Sequence, residues 1–436
     1  MKKSFAARGA GGSSPWRWIP TLYVAEGLPY FAVNTLTALM YVNLGLSKAE
    51  MAFYTGWLYL PWVIKPFWSP FVDLFSTKRS WTILMELLMA LCMAAVAFAL
   101  PGSAWLSLTL AAFWLMAFFS ATHDIAADGY YMLELDPKRQ AAYVGLRSTF
   151  YRLASVLGQG GLVIMAGKLE EAWGDVPKAW GTTFAALSAL FLLITVYHSF
   201  FMPRAPLDRP VPGVTAKNIL QDFGMTFVTF FRKPGIWIAL TFMLLYRLPE
   251  ALCIKLIQPF LVDDRALGGL GLSTARVGVA NGTVGVIALL AGGIIGGLAI
   301  ARGGLRRWIW PMALALTLPC FLYCLLAMSQ PQSFLTVCTA IGIEQFGYGF
   351  GFTAYMLYLM YFSQGEAQTS HYAFCTAFMA IGMMLPGMAA GWIFEQVERL
   401  GLFGSTGYAG FFWIVMLACL ATFLAVALAR PGMKRA

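Results

Sequence analysis

Hydrophobic residues along the chain are gathered into twelve segments of about twenty residues or more, which are separated by short polar stretches. About twenty consecutive apolar residues are enough for a helix to cross a bilayer. The pattern therefore predicts an all-α membrane protein with twelve transmembrane helices. We place these helices at 17–43, 49–72, 81–101, 104–132, 141–168, 180–202, 235–262, 274–300, 308–328, 333–362, 371–398 and 407–429.

The two sets of six helices repeat one another. Gly45-Leu46-Ser47 ends the first helix, and Gly271-Leu272-Ser273 ends the seventh, 226 residues later. Two parallel six-helix repeats joined by a polar linker are typical of the major facilitator fold. We therefore expect two pseudo-symmetric halves. The predicted organisation is a cytoplasmic tail at 1–16, an N-terminal bundle at 17–202, a cytoplasmic linker at 203–234, a C-terminal bundle at 235–429 and a cytoplasmic tail at 430–436.

Proline follows leucine at matching positions of the two halves, in Leu28-Pro29 and in Leu248-Pro249. Proline inside a helix removes a hydrogen bond and clashes with the preceding turn. Paired interruptions in two repeats indicate a substrate site. Ordinary kinks, which are common in membrane helices, are the alternative interpretation.

Composition and charge placement restrict the function. Only 11% of residues are charged, against about 25% in a soluble domain. With the amino terminus in the cytoplasm, 19 of the 30 basic residues fall in cytoplasmic tails or loops, 6 in external loops and 5 within helices. This asymmetry is the positive-inside rule. It predicts cytoplasmic termini and explains the charge of +10 without a nucleic-acid partner.

Other features argue against processing, metal binding and ATP use. No apolar core precedes Pro15, so we expect a polar tail rather than a cleaved signal peptide. The seven cysteines lie in apolar runs without the neighbours that would complete a metal site, and we expect neither metal nor cofactor. No ATP-hydrolysing signature is present, so transport energy should come from an ion gradient.

Ionisable residues inside the helices gather mainly in the first and fourth helices of each half, which line the central cavity in this fold. Charges within a membrane usually face a partner or a wet cavity, and they mark functional sites. We expect these residues to meet in one hydrated chamber. They are Glu26, His123, Asp124, Asp128, Arg247, Glu250, Lys255 and Glu344.

Two ion pairs are predicted between the fourth and fifth helices. In an antiparallel hairpin, two residues at equal depth have residue numbers that add up to a constant. This rule places Asp128 at the depth of Arg147 and Asp124 at the depth of Arg152. Pairing lowers the cost of burying these charges. The pairs could act as latches on the cytoplasmic side, or a carboxylate could carry the coupling proton. We favour the latch for Asp128–Arg147 and leave the role of Asp124 open.

Residues 68–79 place an acid, Asp73, at the end of the second helix, before a basic pair. This resembles the loop signature of the major facilitators, in which Asp73 would clamp the cytoplasmic ends. A polar loop that carries inside-positive residues is the alternative.

Several segments resemble the AmpG-type muropeptide permeases. They are SATHDIAADGYYML at 120–133, Gly27-Leu28-Pro29-Tyr30, Tyr151-Arg152, Glu344-Gln345 and Ser370-His371-Tyr372-Ala373. The resemblance implies proton-driven import of anhydro-muropeptides across a bacterial inner membrane, in peptidoglycan recycling. His123 stands where the family more often has glutamine. Siderophore, acetyl-CoA and drug carriers on the same scaffold are the alternatives, with a membrane-embedded acyltransferase more remote.

The resulting hypothesis is a proton-coupled importer that works by alternating access as a monomer in the lipid bilayer, with an amino-sugar or peptide substrate and no enzymatic activity. Proton coupling is assigned to Asp124, Glu344 and Glu26, and gating to Asp73, Asp128 and Arg147. Substrate contacts are assigned to Arg152, Arg247, Tyr30, His123, Gln345, Tyr348 and Trp114.

Overall fold

The computed structural model describes residues 14–135, 137–204, 208, 216–364, 368–402 and 407–430, and in these residues its regular secondary structure is helical. The helices follow the predicted segments. In the first half they are α1 (Ile19–Phe31, a π-helical stretch Ala32–Leu36 and Thr37–Asn43), α2 (Lys48–Trp57 and Leu60–Phe75), α3 (Lys78–Ala99), α4 (Trp105–Glu134), α5 (Pro137–Ser155, a π-helical stretch Val156–Leu162 and Val163–Trp173) and α6 (Val176–Phe201).

The second half repeats this arrangement. Its helices are α7 (Ile236–Leu245 and Leu248–Val262), α8 (Thr274–Val277, a π-helical stretch Gly278–Gly285 and Val286–Gly303), α9 (Leu305–Thr317, a 3₁₀ turn Leu318–Cys320 and Phe321–Ser329), α10 (Phe334–Ser363), α11 (Gln368–Leu400) and α12 (Gly407–Ala429). The segment expected to be a linker contains a further helix, Ala216–Phe231.

The outer surface fits a lipid environment. Eight of the described helices are long and apolar enough to cross a membrane. Large apolar side chains point away from the protein, and Phe98 is 86% exposed and Phe200 79% exposed. A soluble protein rarely exposes large contiguous apolar patches. The chain is therefore a multi-pass membrane protein.

The repeated Gly-Leu-Ser signal ends one helix and begins the next in both halves. Gly45 and Gly271 have positive φ angles of 90° and 60°, a conformation that favours glycine. Ser47 then caps α2, since its hydroxyl accepts from the Glu50 N–H while the Glu50 carboxylate accepts from the Ser47 N–H. Ser273 is the corresponding N-cap residue of α8, although its side chain makes no capping bond.

The Leu-Pro signals also interrupt both halves, as the sequence predicts. Pro29 lies inside α1, and the π-helical stretch Ala32–Leu36 follows within one turn. In α7 the helix is broken between Leu245 and Leu248, where Arg247 leaves helical geometry. The break gives Arg247 and the following turn access to the space between the halves.

The two halves meet at the end of the bundle that carries loops 44–47, 174–175 and 263–273, which we call the far end; the opposite end is the terminal end. Close approach there depends on small residues, as is usual between membrane helices. A Cβ atom on Gly282 of α8 would lie 1.9 Å from the Gln159 carbonyl oxygen of α5. A Cβ atom on Gly391 of α11 would lie 2.1 Å from the Lys48 carbonyl oxygen of α2.

Buried apolar residues show the same asymmetry between the two ends. One cluster runs through both halves and includes Tyr41 of α1 and Phe260 of α7. Nearer the terminal end, each half has its own cluster, around Trp18 in the first and Phe230 in the second. The halves are thus packed together at the far end and have separate cores at the terminal end.

Alanine at Gly282 tests this close contact. The added methyl group has to displace the α5 backbone, and overpacking of this kind costs about 1–3 kcal/mol. We expect Gly282→Ala to lower the unfolding temperature in detergent, measured by intrinsic fluorescence. Gly297→Ala is the matched control on the same helix, because no atom lies within 4 Å of that Cβ position. Equal unfolding temperatures for the two variants would contradict the contact.

Candidate functional site

A cavity of about 740 Å³ lies between the halves. Small-molecule sites in proteins usually measure about 300–1,000 Å³. The first half contributes lining residues from α1, α2 and α5, and the second from α7, α8, α10 and α11. The predicted cavity helices α1, α7 and α10 therefore do line it, whereas α4 contributes none of the described lining residues.

Seven of the residues assigned from the sequence share this cavity. They come from α1, α5, α7 and α10, so both halves supply them. They are Glu26, Tyr30, Arg152, Arg247, Glu344, Gln345 and Tyr348.

Two buried carboxyl groups in the lining lack an ion-pair partner among the described residues. Glu344 accepts hydrogen bonds at Oε2 from the Tyr323 hydroxyl and from the Gln345 amide, each at 2.9 Å. Glu26 is 7% exposed, and its Oε2 has no hydrogen-bond partner in the described structure. Burial of an unpaired carboxylate is costly. Both groups are therefore placed where a proton or a ligand donor would stabilise them.

Arg247 and Glu250 form a buried ion pair at the break in α7. The guanidinium donates through Nε and Nη2 to the two carboxylate oxygens, at 2.8 and 2.7 Å. It also donates to the Tyr348 hydroxyl at 2.8 Å and lies over the Phe352 ring. This bidentate geometry suits arginine. The pair presents little net charge to the cavity.

Asp124 forms an ion pair with a residue other than the one predicted for it. Lys65 of α2 lines the cavity and lies 3.4 Å from Asp124 Oδ2, whereas the hairpin rule matches Asp124 with Arg152. That rule sets depth in the membrane but not the rotation of each helix, and it ignores a third helix. Asp124, which was expected in the chamber, is not among the described lining residues, but it contacts Lys65, which is.

The second predicted pair is present. Arg147 NH2 lies 2.7 Å from Asp128 Oδ1. The guanidinium also stacks over the Tyr23 ring, 4.6 Å from its centroid. Both charged side chains are about one third exposed. The pair lies outside the cavity lining, toward the terminal end.

His123 and Trp114 do not line the cavity, contrary to the expected placement. His123 Nε2 lies 3.2 Å from the buried Glu86 carboxylate, which also lies 2.7 Å from His198. Trp114 stacks on Phe118. His123 points toward Glu86 of α3, and Trp114 packs beside the buried apolar cluster. The Asp73 side chain lies outside the described residues.

Lys255 lines the cavity as expected from the sequence, and it donates to the Thr55 hydroxyl at 2.9 Å, a bond that joins the two halves. Two aromatic lining residues were not expected. Tyr59 and Trp62 pack edge-on against Tyr30, with centroids 6.2 and 5.3 Å away. The intramembrane lysines carried a detectable signal, since lysine inside a helix span is rare. Aromatic residues are so frequent in this chain that these two carried none.

The chain is similar in sequence to known transporters. Residues 21–261 match the model of the Major Facilitator Superfamily. An anhydromuropeptide permease of Escherichia coli (strain K12) is 27% identical over 380 residues, which cover 85% of this chain and 72% of that protein. The putative transporter AmpG 4 of Rickettsia conorii is 24% identical, with 81% of this chain and 83% of that protein covered.

Solved structures agree on the fold. A bacterial homolog of the human lysosomal transporter Spinster, in an inward-facing and unoccupied conformation, superposes with a TM-score of 0.70 at 14% identity, covering 96% of this chain and 97% of the other. A D-xylose–proton symporter superposes with a TM-score of 0.71 at 11% identity, covering 94% and 96%.

Neutralising Glu250 alone tests the buried pair. Glu250→Gln leaves the Arg247 charge without its counter-charge, and removal of one partner of a buried pair costs about 3–5 kcal/mol. We expect a lower unfolding temperature than in the control Glu171→Gln, which changes an exposed residue. The double variant Arg247→Met/Glu250→Met should recover most of the loss. A Glu250→Gln protein as stable as the control would refute this role of the pair.

Proposed function

The chain belongs to the major facilitator superfamily, and from this premise we propose that it is a proton-coupled importer of muropeptides. The cargo would be N-acetylglucosamine–anhydro-N-acetylmuramic acid, with or without peptide. It would cross the bacterial inner membrane by alternating access through a single copy of the chain. Family membership makes the protein a transporter rather than a membrane-embedded acyltransferase.

One observation carries the proposal: charged, amide and aromatic side chains from both halves face one cavity. Alternating access requires a site at the repeat interface that both halves share. The anhydromuropeptide permease from Escherichia coli matches 85% of this chain and is the basis for the proposed cargo class. None of the described properties favours a siderophore or a drug as the cargo.

The lining chemistry suits an amino sugar. The aromatic group Tyr30, Tyr59 and Trp62 forms one wall on which a sugar ring could pack. Amide side chains from Gln159, Asn281 and Gln345 supply donors and acceptors for hydroxyl and acetamido groups. Apolar walls with a few placed polar groups are typical of small-molecule sites.

Proton coupling is assigned to the carboxyl groups that lack a fixed cation. Glu344 and Glu26 have no described ion-pair partner, so they can gain or lose a proton without breaking an ion pair. Asp124 is held by Lys65, and its protonation would release that lysine into the cavity. Glu344 is the first choice because its hydrogen bonds to Tyr323 and Gln345 keep it at the cavity wall.

Gating follows from the positions of the inter-half contacts. With both termini in the cytoplasm, the far end is external and is closed by the Lys48–Asp263 ion pair, at 2.7 Å. The described structure then corresponds to an inward-facing state. Asp128–Arg147, with Asp73 at the end of α2, would rearrange when the cytoplasmic side closes.

Uptake into proteoliposomes tests the proposal. Labelled N-acetylglucosamine–anhydro-N-acetylmuramic acid should accumulate when the outside is more acidic than the lumen, and accumulation should stop when an uncoupler removes the gradient. Uptake that ignores the gradient would refute the coupling. Absence of uptake and of counterflow would refute the cargo.

The variant Glu344→Gln separates coupling from binding. An amide cannot carry the proton, so we expect at least a tenfold loss of gradient-driven accumulation while counterflow between equal pH values persists. Glu398→Gln, an exposed glutamate in the same half, is the control. Gradient-driven uptake by Glu344→Gln at the control rate would remove Glu344 from this role.

A further inference from the structure

We propose that Lys255, together with Gln258 and Asn34, forms a subsite that holds a carboxylate next to an amide or hydroxyl donor of the cargo. The inference rests on the proposed function and deepens it, because it assigns the carboxylate end of the cargo to one place in the cavity. It also differs from the sequence-based expectation, which included Arg152 and Arg247 among the substrate contacts but not Lys255.

Lys255 is a buried amine without an acidic partner among the described residues. Its side chain lines the cavity and is 3% exposed. The Nζ atom donates to the Thr55 hydroxyl and lies 5.4 Å from the centroid of the Tyr59 ring. No carboxylate of the described residues forms an ion pair with it. Thr55 itself donates to the Met51 carbonyl, so it acts as an acceptor toward the lysine. An ammonium group has three donors, and the described structure occupies one of them.

The other cations of the cavity differ from Lys255. Arg247 is bound through two hydrogen bonds to Glu250, and Lys65 pairs with Asp124. Arg152 is an exposed side chain, so water can solvate its charge. A buried charge requires a partner. A cargo carboxylate provides that partner at Lys255 without displacing an existing ion pair.

Two buried acceptors line the same cavity. Gln258 lies one helical turn after Lys255, on the same face of α7, and is 5% exposed. Its Oε1 has no partner in the described structure. Asn34 of α1 is 8% exposed and also has an unpartnered oxygen. Its nitrogen donates to the Tyr30 carbonyl, which leaves Oδ1 for another donor.

The combination defines a ligand chemistry. A buried ammonium group is stabilised by an anion, and buried carbonyl oxygens are stabilised by hydrogen bonds from N–H or O–H donors. An N-acylated compound with a free carboxylate offers both, whereas its methyl ester keeps the donors and loses the anion. The subsite therefore distinguishes an acid from its ester.

Binding measurements on the purified full-length protein test the subsite. The probes are N-acetylmuramic acid and its methyl ester, and N-acetyl-dialanine and its methyl ester; dissociation constants come from ligand-induced shifts in unfolding temperature. We expect wild type to bind at least one acid tenfold or more tightly than its ester. Lys255→Met should lower the affinity for that acid to the affinity for its ester and leave the affinity for the ester unchanged. Lys255→Arg should keep a preference for the acid.

Two further variants complete the design. Lys178→Met is the matched control, because Lys178 also lies over an aromatic ring, Trp173, but outside the cavity. It should leave all affinities unchanged. Gln258→Leu should lower the affinity for acid and ester alike by about tenfold, a loss of about 1.4 kcal/mol. This variant gives a second readout if Lys255→Met does not fold.

The outcomes separate the two proposals. An equal affinity of wild type for acid and ester, binding of none of the four probes, or an acid preference that survives in Lys255→Met would overturn the subsite. Lys255-dependent preference for N-acetyl-dialanine without binding of N-acetylmuramic acid would support the subsite and count against the muropeptide cargo.

Discussion

The cost of an unpaired charge in a membrane governs the arrangement of this protein. Within the helices, Asp128 pairs with Arg147, Asp124 with Lys65, and Glu250 with Arg247. Glu26, Glu344 and Lys255, which have no ion-pair partner among the described residues, line the cavity between the halves. Pairing offsets the free-energy cost of burying a charge. We propose that a proton and a ligand bind at these residues.

The same cavity exists because the halves touch along only part of their length. Small residues such as Gly282 and Gly391 allow close backbone contact at the far end. At the terminal end, separate clusters around Trp18 and Phe230 stabilise each half independently. Two bundles packed together at one end and separate at the other have an arrangement that suits rocking, the motion by which repeats of this kind alternate access. Lys255–Thr55 and Lys48–Asp263 both bridge the halves, and in the proposed mechanism these polar contacts break when the far end opens.

Helix placement was predictable from the sequence because long apolar segments have few alternatives in a bilayer. The repeated Gly-Leu-Ser and Leu-Pro signals correctly located a helix junction and an interruption in each half. Among the ion pairs, Asp128–Arg147 followed from helical depth alone. The partner of Asp124 did not, because Lys65 approaches from a helix outside the hairpin. His123 shares a helix with Asp124 but points to Glu86, since adjacent residues on a helix face different directions. The aromatic wall of Tyr59 and Trp62 depended on helix rotation, which composition does not encode.

The most direct test is an experimental structure of the full-length protein bound to N-acetylglucosamine–anhydro-N-acetylmuramic acid in a lipid nanodisc. The account predicts ligand density between the halves, in contact with α1 and α2 on one side and with α7 and α10 on the other. Density confined to one half, or a structure in which Glu26, Arg247 and Glu344 face the lipid without a shared cavity, would contradict it.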